Sequence, residues 1–235
     1  AIYLTIFLFL KKFSNFQILF HISCNIIRKS DYPTLHVRII YKYSQSIQIK
    51  SNFLIFALMK NRKLANDELF RITAIEYKDR VKSGIVVVLD NIRSSHNIGA
   101  AFRSADAFGV DKVYLCGICA VPPKAEIHKA ALGAEFSLDW SYYPETMEVV
   151  EELRKSGYTI VSIEQAVDSV ELGKINISSG QKYALIFGNE VKGVQQEVVS
   201  ASDYVWEIPQ FGTKHSLNVS VSAGIVLWEV VKRLK

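Results

Sequence analysis

The 235-residue chain is predicted to fold as an α/β domain, with a mostly parallel sheet covered by helices on both faces. Two observations predict this class. Short apolar runs that stop at glycine, proline or polar residues are typical of buried strands, and segments of helical periodicity separate them. The runs are continuous rather than alternating, which indicates strands buried on both faces, as in a parallel sheet.

The elements follow in order after Met59. Strands are predicted at residues 85–89, 113–116, 158–163, 183–187 and 204–208, and an extended segment at 136–140. Helices are predicted at residues 66–80, 97–108, 125–131, 144–155, 195–200 and 218–235. In the first helix, the apolar side chains of Leu69, Phe70, Ile72 and Ile75 are expected to face the core.

The formal net charge of +5 is unevenly distributed along the chain. Residues 1–58 carry seven Lys or Arg and one acid, Asp31, so their net charge is +6 and that of residues 59–235 is −1. Overall basicity is therefore no argument for nucleic-acid binding by the larger part. Any positive surface there must be local.

The first 58 residues differ in composition from the rest, with no glycine and a single proline, Pro33. We expect residues 1–58 to be a non-native or disordered extension, read through from A/T-rich sequence, and residues 59–235 to form the natural domain starting at Met59. A signal peptide is the alternative, but no basic segment precedes the apolar run 2–10. Lys11 and Lys12 end that run too early for a membrane span.

The chain has three cysteines, Cys24, Cys116 and Cys119. The last two have the spacing of a redox or zinc half-site, but no second pair provides the remaining ligands. They are therefore expected to pack as small apolar residues, and no metal is expected. Sparse cysteine usage favours a reducing, cytoplasmic compartment.

Three polar loops follow predicted strands, at residues 90–103, 188–193 and 207–218. The carboxyl ends of parallel strands meet at one edge of a sheet, so these loops are expected to form one site. Their small and amide residues allow close approach of the backbone to a nucleotide-like ligand. A nicotinamide-dependent dehydrogenase is excluded, because no Gly-x-Gly-x-x-Gly follows the first strand.

The loops contain three motifs in a fixed order. They are Asn97-Ile-Gly-Ala-Ala-Phe-Arg103, then Phe187-Gly-Asn-Glu190 with Gly193, then Ile208-Pro209 with Ser216-Leu-Asn-Val-Ser220. Together they resemble the signature motifs of the SpoU family, the ribose 2′-O-methyltransferases of the SPOUT superfamily. The resemblance extends from about Leu64 to the C-terminus. One short motif recurs by chance, whereas three in order at strand–loop junctions are specific.

The resemblance implies a fold and a cofactor that periodicity alone does not indicate. The fold would include a C-terminal deep trefoil knot, one of the rare exceptions to unknotted topology. The cofactor would be S-adenosyl-L-methionine, bound by Gly188, Ile208, Pro209, Leu217 and Asn218. A branched side chain at position 188 is expected to fill space that the adenosine needs and to restrict the backbone of the turn.

The catalytic residues implied by the resemblance are Arg103, Asn97, Glu190, Ser216 and Asn218. Arginine hardly deprotonates, so Arg103 is better interpreted as gripping a phosphate than as a general base. A solvated helix arginine is the alternative. Asn97 and Asn218 are also candidates for helix caps. Glu190 is expected to anchor Arg103 or to order the cofactor loop, with a plain surface turn as the alternative.

The implied function is transfer of a methyl group from S-adenosylmethionine to a ribose 2′-hydroxyl of RNA. Transfer RNA is favoured over ribosomal RNA, because residues 59–235 leave no room for a separate N-terminal RNA-binding domain. A homodimer is implied, and the apolar final helix (Val226, Leu227, Val230, Val231) is compatible with it. Neither a membrane nor a metal is expected as a partner. The rival interpretation is a non-catalytic knotted RNA-binding or ribosome-assembly factor, which would not bind S-adenosylhomocysteine.

Overall fold

The structure, a computed structural model, describes Asn61 and residues 63–234. The chain divides into two compact units, Ala1–Phe70 and Arg71–Lys235. Of the first unit, the described part contains one 3-10 helix, Asn66–Leu69. The expectations for residues 1–58, including Cys24, lie outside the described residues.

The second unit alternates strands and helices, as its sequence predicts. The strands are β1 (Ile85–Asp90), β2 (Lys112–Cys116), β3 (Asp139–Tyr143), β4 (Tyr158–Ile163), β5 (Val170–Glu171), β6 (Lys182–Phe187) and β7 (Tyr204–Glu207). The helices are α1 (Ala74–Asp79), α2 (Ser95–Ala107), α3 (Ala125–Ala131), α4 (Ala134–Ser137), α5 (Thr146–Lys155), α6 (Gln196–Ala201) and α7 (Val219–Leu234). A 3-10 helix, Leu172–Lys174, follows β5.

The seven strands form one sheet in the order β3-β2-β1-β6-β4-β7-β5. Every pairing between these strands is parallel, which confirms the predicted sheet type. The carboxyl ends of β1, β6, β4 and β7 therefore lie side by side. The loops that follow these four strands emerge at one edge of the sheet.

Helices cover both faces of the sheet, as predicted. On one face, α2, α3 and α7 pack against β1 and β6 through Ile98, Phe102, Ile127, Val226, Leu227 and Val230. On the other face, α5 and α6 pack through Val149, Val150, Leu153 and Val198. Successive side chains of β1 enter these two clusters alternately, so both faces of the strand are buried. This burial explains why the sequence of β1 is almost continuously apolar.

Two predicted elements are corrected by the structure. The helix predicted at 66–80 is interrupted at Phe70, whose φ is 46°, and α1 begins only after Thr73. Thr73 caps α1, because its side chain accepts from the Glu76 N–H while the Glu76 carboxylate accepts from the Thr73 N–H. The apolar residues expected in the core, Leu69, Phe70, Ile72 and Ile75, are exposed. In place of an extended segment at 136–140, Phe136 belongs to α4 and β3 begins at Asp139.

Cys116 and Cys119 pack in the core as free thiols, as the sequence predicts. Burial raises the pKa of Cys116 to about 12 and that of Cys119 to about 11. In the described residues, no group of three or more His, Cys, Asp or Glu side chains could hold a metal ion. None of the described helices is long and apolar enough to cross a membrane.

Candidate functional site

A cavity of about 370 Å³ opens at the edge of the sheet where β4, β6 and β7 end. Four chain segments form its wall: the end of β4, the loop after β6, the end of β7 and the segment leading into α7. The lining residues include Ile163, Glu164, Gln165, Phe187, Gly188, Asn189, Glu190, Gly193, Glu207, Ile208, His215, Ser216 and Leu217. The loops of the second and third motifs therefore share one cavity.

The loop after β6 is a tight turn closed by its own backbone. Asn189 N–H donates to Gly193 O at 3.0 Å, and Gly193 N–H donates to Asn189 O at 2.9 Å. The Asn189 side-chain oxygen accepts from the N–H groups of Val191 and Lys192, at 2.9 and 3.1 Å. Gly193 has a φ of 69°, which favours glycine. The turn is thus held in one conformation by residues of its own sequence.

Gly188, at the start of this turn, lies against the backbone of Gly193 and Val194 at its end. A Cβ at Gly188 would be 2.1 Å from both the carbonyl carbon of Gly193 and the nitrogen of Val194. Of the two reasons expected for a glycine here, the structure supports the one that concerns the backbone, because a side chain would collide with the turn itself. Gly188 is required by the backbone of the cavity wall.

A chain of hydrogen bonds joins the three motifs. Asn218 Nδ2 donates to Asn97 Oδ1 at 3.1 Å, and Asn97 Nδ2 donates to Glu190 Oε1 at 2.9 Å. The Glu190 carboxylate also accepts from the backbone N–H groups of Arg93 and Ser94, at 3.0 and 3.1 Å. These N–H groups precede α2, so the carboxylate lies at the positive end of the helix dipole.

The surroundings of Glu190 favour its charged form. Burial raises the pKa of this carboxyl group, but the hydrogen bonds from Arg93, Asn97 and Ser94 outweigh burial. The pKa of Glu190 therefore lies below its ordinary value of 4.5. Glu190 is a fixed acceptor that binds α2 to the turn after β6.

Of the two candidate helix caps, Asn97 and Asn218, only Asn218 caps a helix. Ser94 is the N-cap of α2, since its side chain accepts from the Asn97 N–H, so Asn97 does not cap the helix. Asn218 does cap α7, because its Oδ1 accepts from the Ser220 N–H at 2.9 Å. Its Nδ2 is meanwhile bonded to Asn97. Asn218 thus has both a cap role and a place in the network.

Arg103 is the one expected catalytic residue that the structure leaves apart from the others. It is exposed on α2, does not line the cavity, and has no hydrogen bond or ion pair within the described part of the chain. Of the alternatives for Glu190, the structure supports ordering of the loop rather than anchoring of Arg103, because its carboxylate bonds to Asn97 and to the backbone before α2. Among the expected cofactor residues, Pro209 and Asn218 do not line the cavity.

A buried carboxylate beneath the site was missed by sequence reasoning. Asp90, at the end of β1, is fully buried. Its oxygens accept from Thr146 Oγ1 at 2.6 Å, from Asn91 Nδ2 at 2.9 Å and from Gln195 N–H at 2.8 Å. Asp90 therefore ties the loop after β1 to the starts of α5 and α6. The sequence signal that could have located Asp90 is an acidic residue directly after an apolar strand.

A second omission is the polar pair that follows β4. Glu164 and Gln165 line the cavity, and Gln165 Nε2 donates to His215 O at 2.6 Å. They stand directly after the apolar run 158–163, at the same edge of the sheet as the three motifs. The signal that located the other loops was therefore present here too.

Comparisons with known proteins find relatives of similar sequence. A 23S rRNA (guanosine-2′-O-)-methyltransferase, RlmB, from Nitrosomonas europaea is 34% identical over 150 residues, which are 63% of this chain and 56% of that protein. A tRNA (guanosine(18)-2′-O)-methyltransferase from Aquifex aeolicus is 30% identical over 161 residues, 67% of this chain and 74% of that protein. The chain thus spans little more than half of the first relative and about three-quarters of the second.

The fold has solved counterparts as well. An AdoMet-bound rRNA methyltransferase from Sinorhizobium meliloti superposes with a TM-score of 0.62 at 28% identity, over 68% of this chain and 60% of that one. Residues 84–228, more than half of the chain, match the model of the SpoU rRNA Methylase family. This range contains every motif residue of the site described above. The chain belongs to the SpoU rRNA Methylase family.

Proposed function

We propose that this protein transfers a methyl group from S-adenosyl-L-methionine to a ribose 2′-hydroxyl of RNA. The observation that carries the proposal is the hydrogen-bonded chain Asn218–Asn97–Glu190, which joins three separate loops beside a cavity. Transfer between two bound reactants depends mainly on their orientation. A network that fixes α2, α7 and the turn after β6 relative to one another provides a rigid frame for it.

The cavity suits the proposed cofactor in size and charge. Small-molecule sites occupy about 300–1,000 Å³, and this cavity has about 370 Å³. Ile208 and Leu217 offer an apolar wall for an adenine ring. Three carboxylates and one lysine line the cavity, and this net negative charge complements a sulfonium cation. When bound, the cofactor supplies an electrophilic methyl group.

Arg103 is assigned to the RNA side of the reaction. Its guanidinium is exposed and has no partner among the described residues, so it is available to an external anion. A planar guanidinium binds phosphate through two parallel hydrogen bonds, which would orient the adjacent ribose. Arg103 shares α2 with Asn97, and Glu190 holds the start of that helix. The phosphate grip would therefore be fixed relative to the cavity.

The C-terminal trefoil knot is part of the proposal. Helix α7 packs against α2, whereas β7 lies beyond β6 and β4 from β1. The connection between β7 and α7 must therefore return across the carboxyl edge of the sheet. There it meets the loop after β4, where Gln165 bonds to His215. This route is the one that a knotted chain would take.

The protein is proposed to act as a homodimer, with a surface that differs from the expected one. Val226, Leu227, Val230 and Val231 are buried within the chain against α2, so they cannot form an interface. Val221, Ile225 and Trp228 are instead exposed along one stripe of α7, four and three residues apart. In sedimentation experiments Ile225→Glu should yield monomer, whereas Val167→Glu, at an exposed valine elsewhere, should not.

The methyltransferase domain is proposed to comprise residues 59–235. The compact unit Arg71–Lys235 contains all the motifs, whereas residues 59–70 belong to the other unit, so the proposed start at Met59 rests on the sequence. A chain beginning at Met59 should fold and transfer methyl groups as well as the full chain. Loss of folding on removal of residues 1–58 would contradict the boundary.

Transfer RNA is proposed as the substrate, ahead of ribosomal RNA. The tRNA-specific relative is matched over 74% of its length, which favours this choice. The test is incubation of the protein and methyl-labelled cofactor with total tRNA and, separately, with ribosomal RNA. A 2′-O-methyl group blocks alkaline cleavage of the adjacent phosphodiester, so label in alkali-resistant dinucleotides identifies the reaction. Binding of S-adenosylhomocysteine without transfer to either RNA would refute the activity.

A further inference from the structure

Glu164 lies outside all three motifs, yet it lines the cavity. Its backbone N–H donates to Trp206 O at 3.1 Å, which fixes it beside the end of β7. Its carboxylate is held by two backbone donors: Oε2 accepts from Val194 N–H at 3.0 Å, and Oε1 accepts from Gln165 N–H at 2.9 Å. The carboxylate is therefore fixed in position before any ligand binds.

The backbone of the turn after β6 leaves room for this carboxylate to approach closely. A Cβ on Gly193 would lie 2.2 Å from Glu164 Oε2, so only glycine leaves room for the contact. The neighbouring Gln165 bonds to His215 O and ties the same loop to the segment before α7. Glu164 is thus held between the loop of the second motif and that of the third.

We propose that Glu164 binds the ribose hydroxyls of the cofactor, an inference that rests on the function proposed above. A carboxylate has about four acceptor sites, and two of those on Glu164 are used by the backbone. The remaining two can accept from the two hydroxyls of a ribose. Such charge-assisted hydrogen bonds are the strong ones, and an acidic residue near the end of a strand binds ribose in dinucleotide-binding folds.

The position of Glu164 favours the ribose over the amino acid part of the cofactor. Glu164 lies beside the end of β7, which leads directly into Ile208, part of the proposed adenine wall. Glu190 lies at the other side of the turn, bonded to α2. The ribose is covalently joined to the adenine, so it would lie closer to the Ile208 side than the amino acid part of the cofactor. The adenine 6-amino group is the other donor on this side, and removal of single ribose hydroxyls distinguishes the two.

Glu207 is the other carboxylate on this side of the cavity, and it differs from Glu164 in the hydrogen-bond partner of its oxygens. Its Oε2 accepts from Ser169 Oγ at 2.7 Å, just before β5 at the edge of the sheet. One of its oxygens is therefore turned toward that edge. Glu207 carries the same charge in the same cavity, which makes Glu207→Gln the matched control for Glu164→Gln.

The experiment is calorimetric titration of the full chain with S-adenosylhomocysteine and with its 2′-deoxy and 3′-deoxy analogues. Wild-type protein should lose about tenfold in affinity when either hydroxyl is removed. Glu164→Gln keeps an oxygen for the Val194 N–H, so the turn should persist. This variant should bind S-adenosylhomocysteine about tenfold more weakly and should distinguish the analogues by less than about threefold. Glu207→Gln should distinguish them as wild type does.

The outcomes separate the two proposals. If Glu164→Gln distinguishes the analogues as strongly as wild type, Glu164 does not bind the ribose, while the cofactor site stands. If wild-type protein does not bind S-adenosylhomocysteine, the proposed function fails, and this inference fails with it. An unchanged thermal midpoint of ligand-free Glu164→Gln would show that weaker binding is not caused by a disordered turn; a large drop in that midpoint would assign Glu164 to the turn alone.

Discussion

Asn218 donates a hydrogen bond to the side-chain oxygen of Asn97 at 3.1 Å, across 121 residues of sequence. The bond connects the start of α7 to the first turn of α2. Asn97 uses its own amide nitrogen to reach Glu190, so each asparagine acts as a donor toward the next member of the chain. An amide suits both positions, because it carries a donor and an acceptor on separate atoms and can therefore bond to two partners at once.

Substitutions of Asn218 should separate its two roles. Asn218→Asp keeps an oxygen for the Ser220 N–H and places a negative charge at the start of α7, where the helix dipole favours it. It removes the donor to Asn97, however. We expect a thermal midpoint close to wild type and at least about a tenfold loss in methyl transfer. Asn218→Ala should lose the cap as well, at about 1 kcal/mol.

The measurements are thermal unfolding and single-turnover methyl transfer on the same preparations. Ser200→Ala, an exposed site on α6, serves as the control that should change neither quantity. Full activity in Asn218→Asp would show that the bond to Asn97 has no part in the reaction.

Gly188→Ala should damage the cavity wall through the backbone. The added Cβ would lie 2.1 Å from backbone atoms of Gly193 and Val194, and backbone cannot move aside as a flexible side chain does. We expect loss of S-adenosylhomocysteine binding and destabilisation of about 2 kcal/mol or more, measured by calorimetry and urea unfolding. Gly212→Ala is the control, since a Cβ added at Gly212 would have no neighbour within 4 Å among the described residues. Retained binding in Gly188→Ala would contradict the geometry of the turn.

Arg103→Ala should separate chemistry from cofactor binding. Arg103 does not line the cavity, so affinity for S-adenosylhomocysteine should be unchanged. The rate of transfer to RNA should fall by orders of magnitude, because the guanidinium is proposed to orient the ribose. Arg103→Lys keeps the charge but loses the planar fork, so it should restore little.

The matched control for Arg103 is Arg71→Ala, another exposed arginine without a hydrogen bond or ion pair among the described residues. It should transfer at the wild-type rate. Single-turnover transfer is the suitable measurement, because it excludes product release. A near-normal rate for Arg103→Ala would reduce Arg103 to a solvated residue of α2.

Glu190 should make stability depend on pH in the acid range. Its folded-state pKa lies below 4.5, so its contribution is present above about pH 4.5 and is lost as pH falls through the folded-state value. Glu190→Gln should destabilise by about 1 kcal/mol at pH 7, since the site is only partly buried. The difference from wild type should shrink at low pH, as measured by urea unfolding. Ser200→Ala, at an exposed and non-titratable site on α6, should show no such trend.

The strands and the two-sided sheet could be predicted from sequence because burial on both faces leaves continuous apolar runs. The wrong prediction of one continuous helix at residues 66–80 also came from apolar residues that were taken to be buried. Apolar residues such as Phe70 and Ile75 mark hydrophobic surface, but sequence does not show what covers it, and both are exposed among the described residues. The capping pair of Thr73 and Glu76 was a local signal that outweighed the apolar period.

The motif residues of the site were predictable, but their roles were not. Glu190 finds its partners Arg93 and Asn97 more than 90 residues earlier in the chain. Only the sheet order brings such segments together, and an amide or carboxylate in a loop does not reveal which distant donor it meets. The sequence therefore left open whether Glu190 anchors Arg103 or orders the loop, although the helix that carries Arg103 was correctly located.

The cavity is walled by four segments that lie between Ile163 and Ser222. A ligand held between them is released when any one of these walls opens, so a bound ligand opposes each local opening as well as global unfolding. Occupancy stabilises the native state by RT ln(1 + [L]/Kd), about 2.7 kcal/mol at a hundredfold excess over Kd. Proteases that attack transiently opened chains would then degrade the protein more slowly in cells rich in its ligand. The supply of methyl donor would set how long each molecule survives as well as how fast it works.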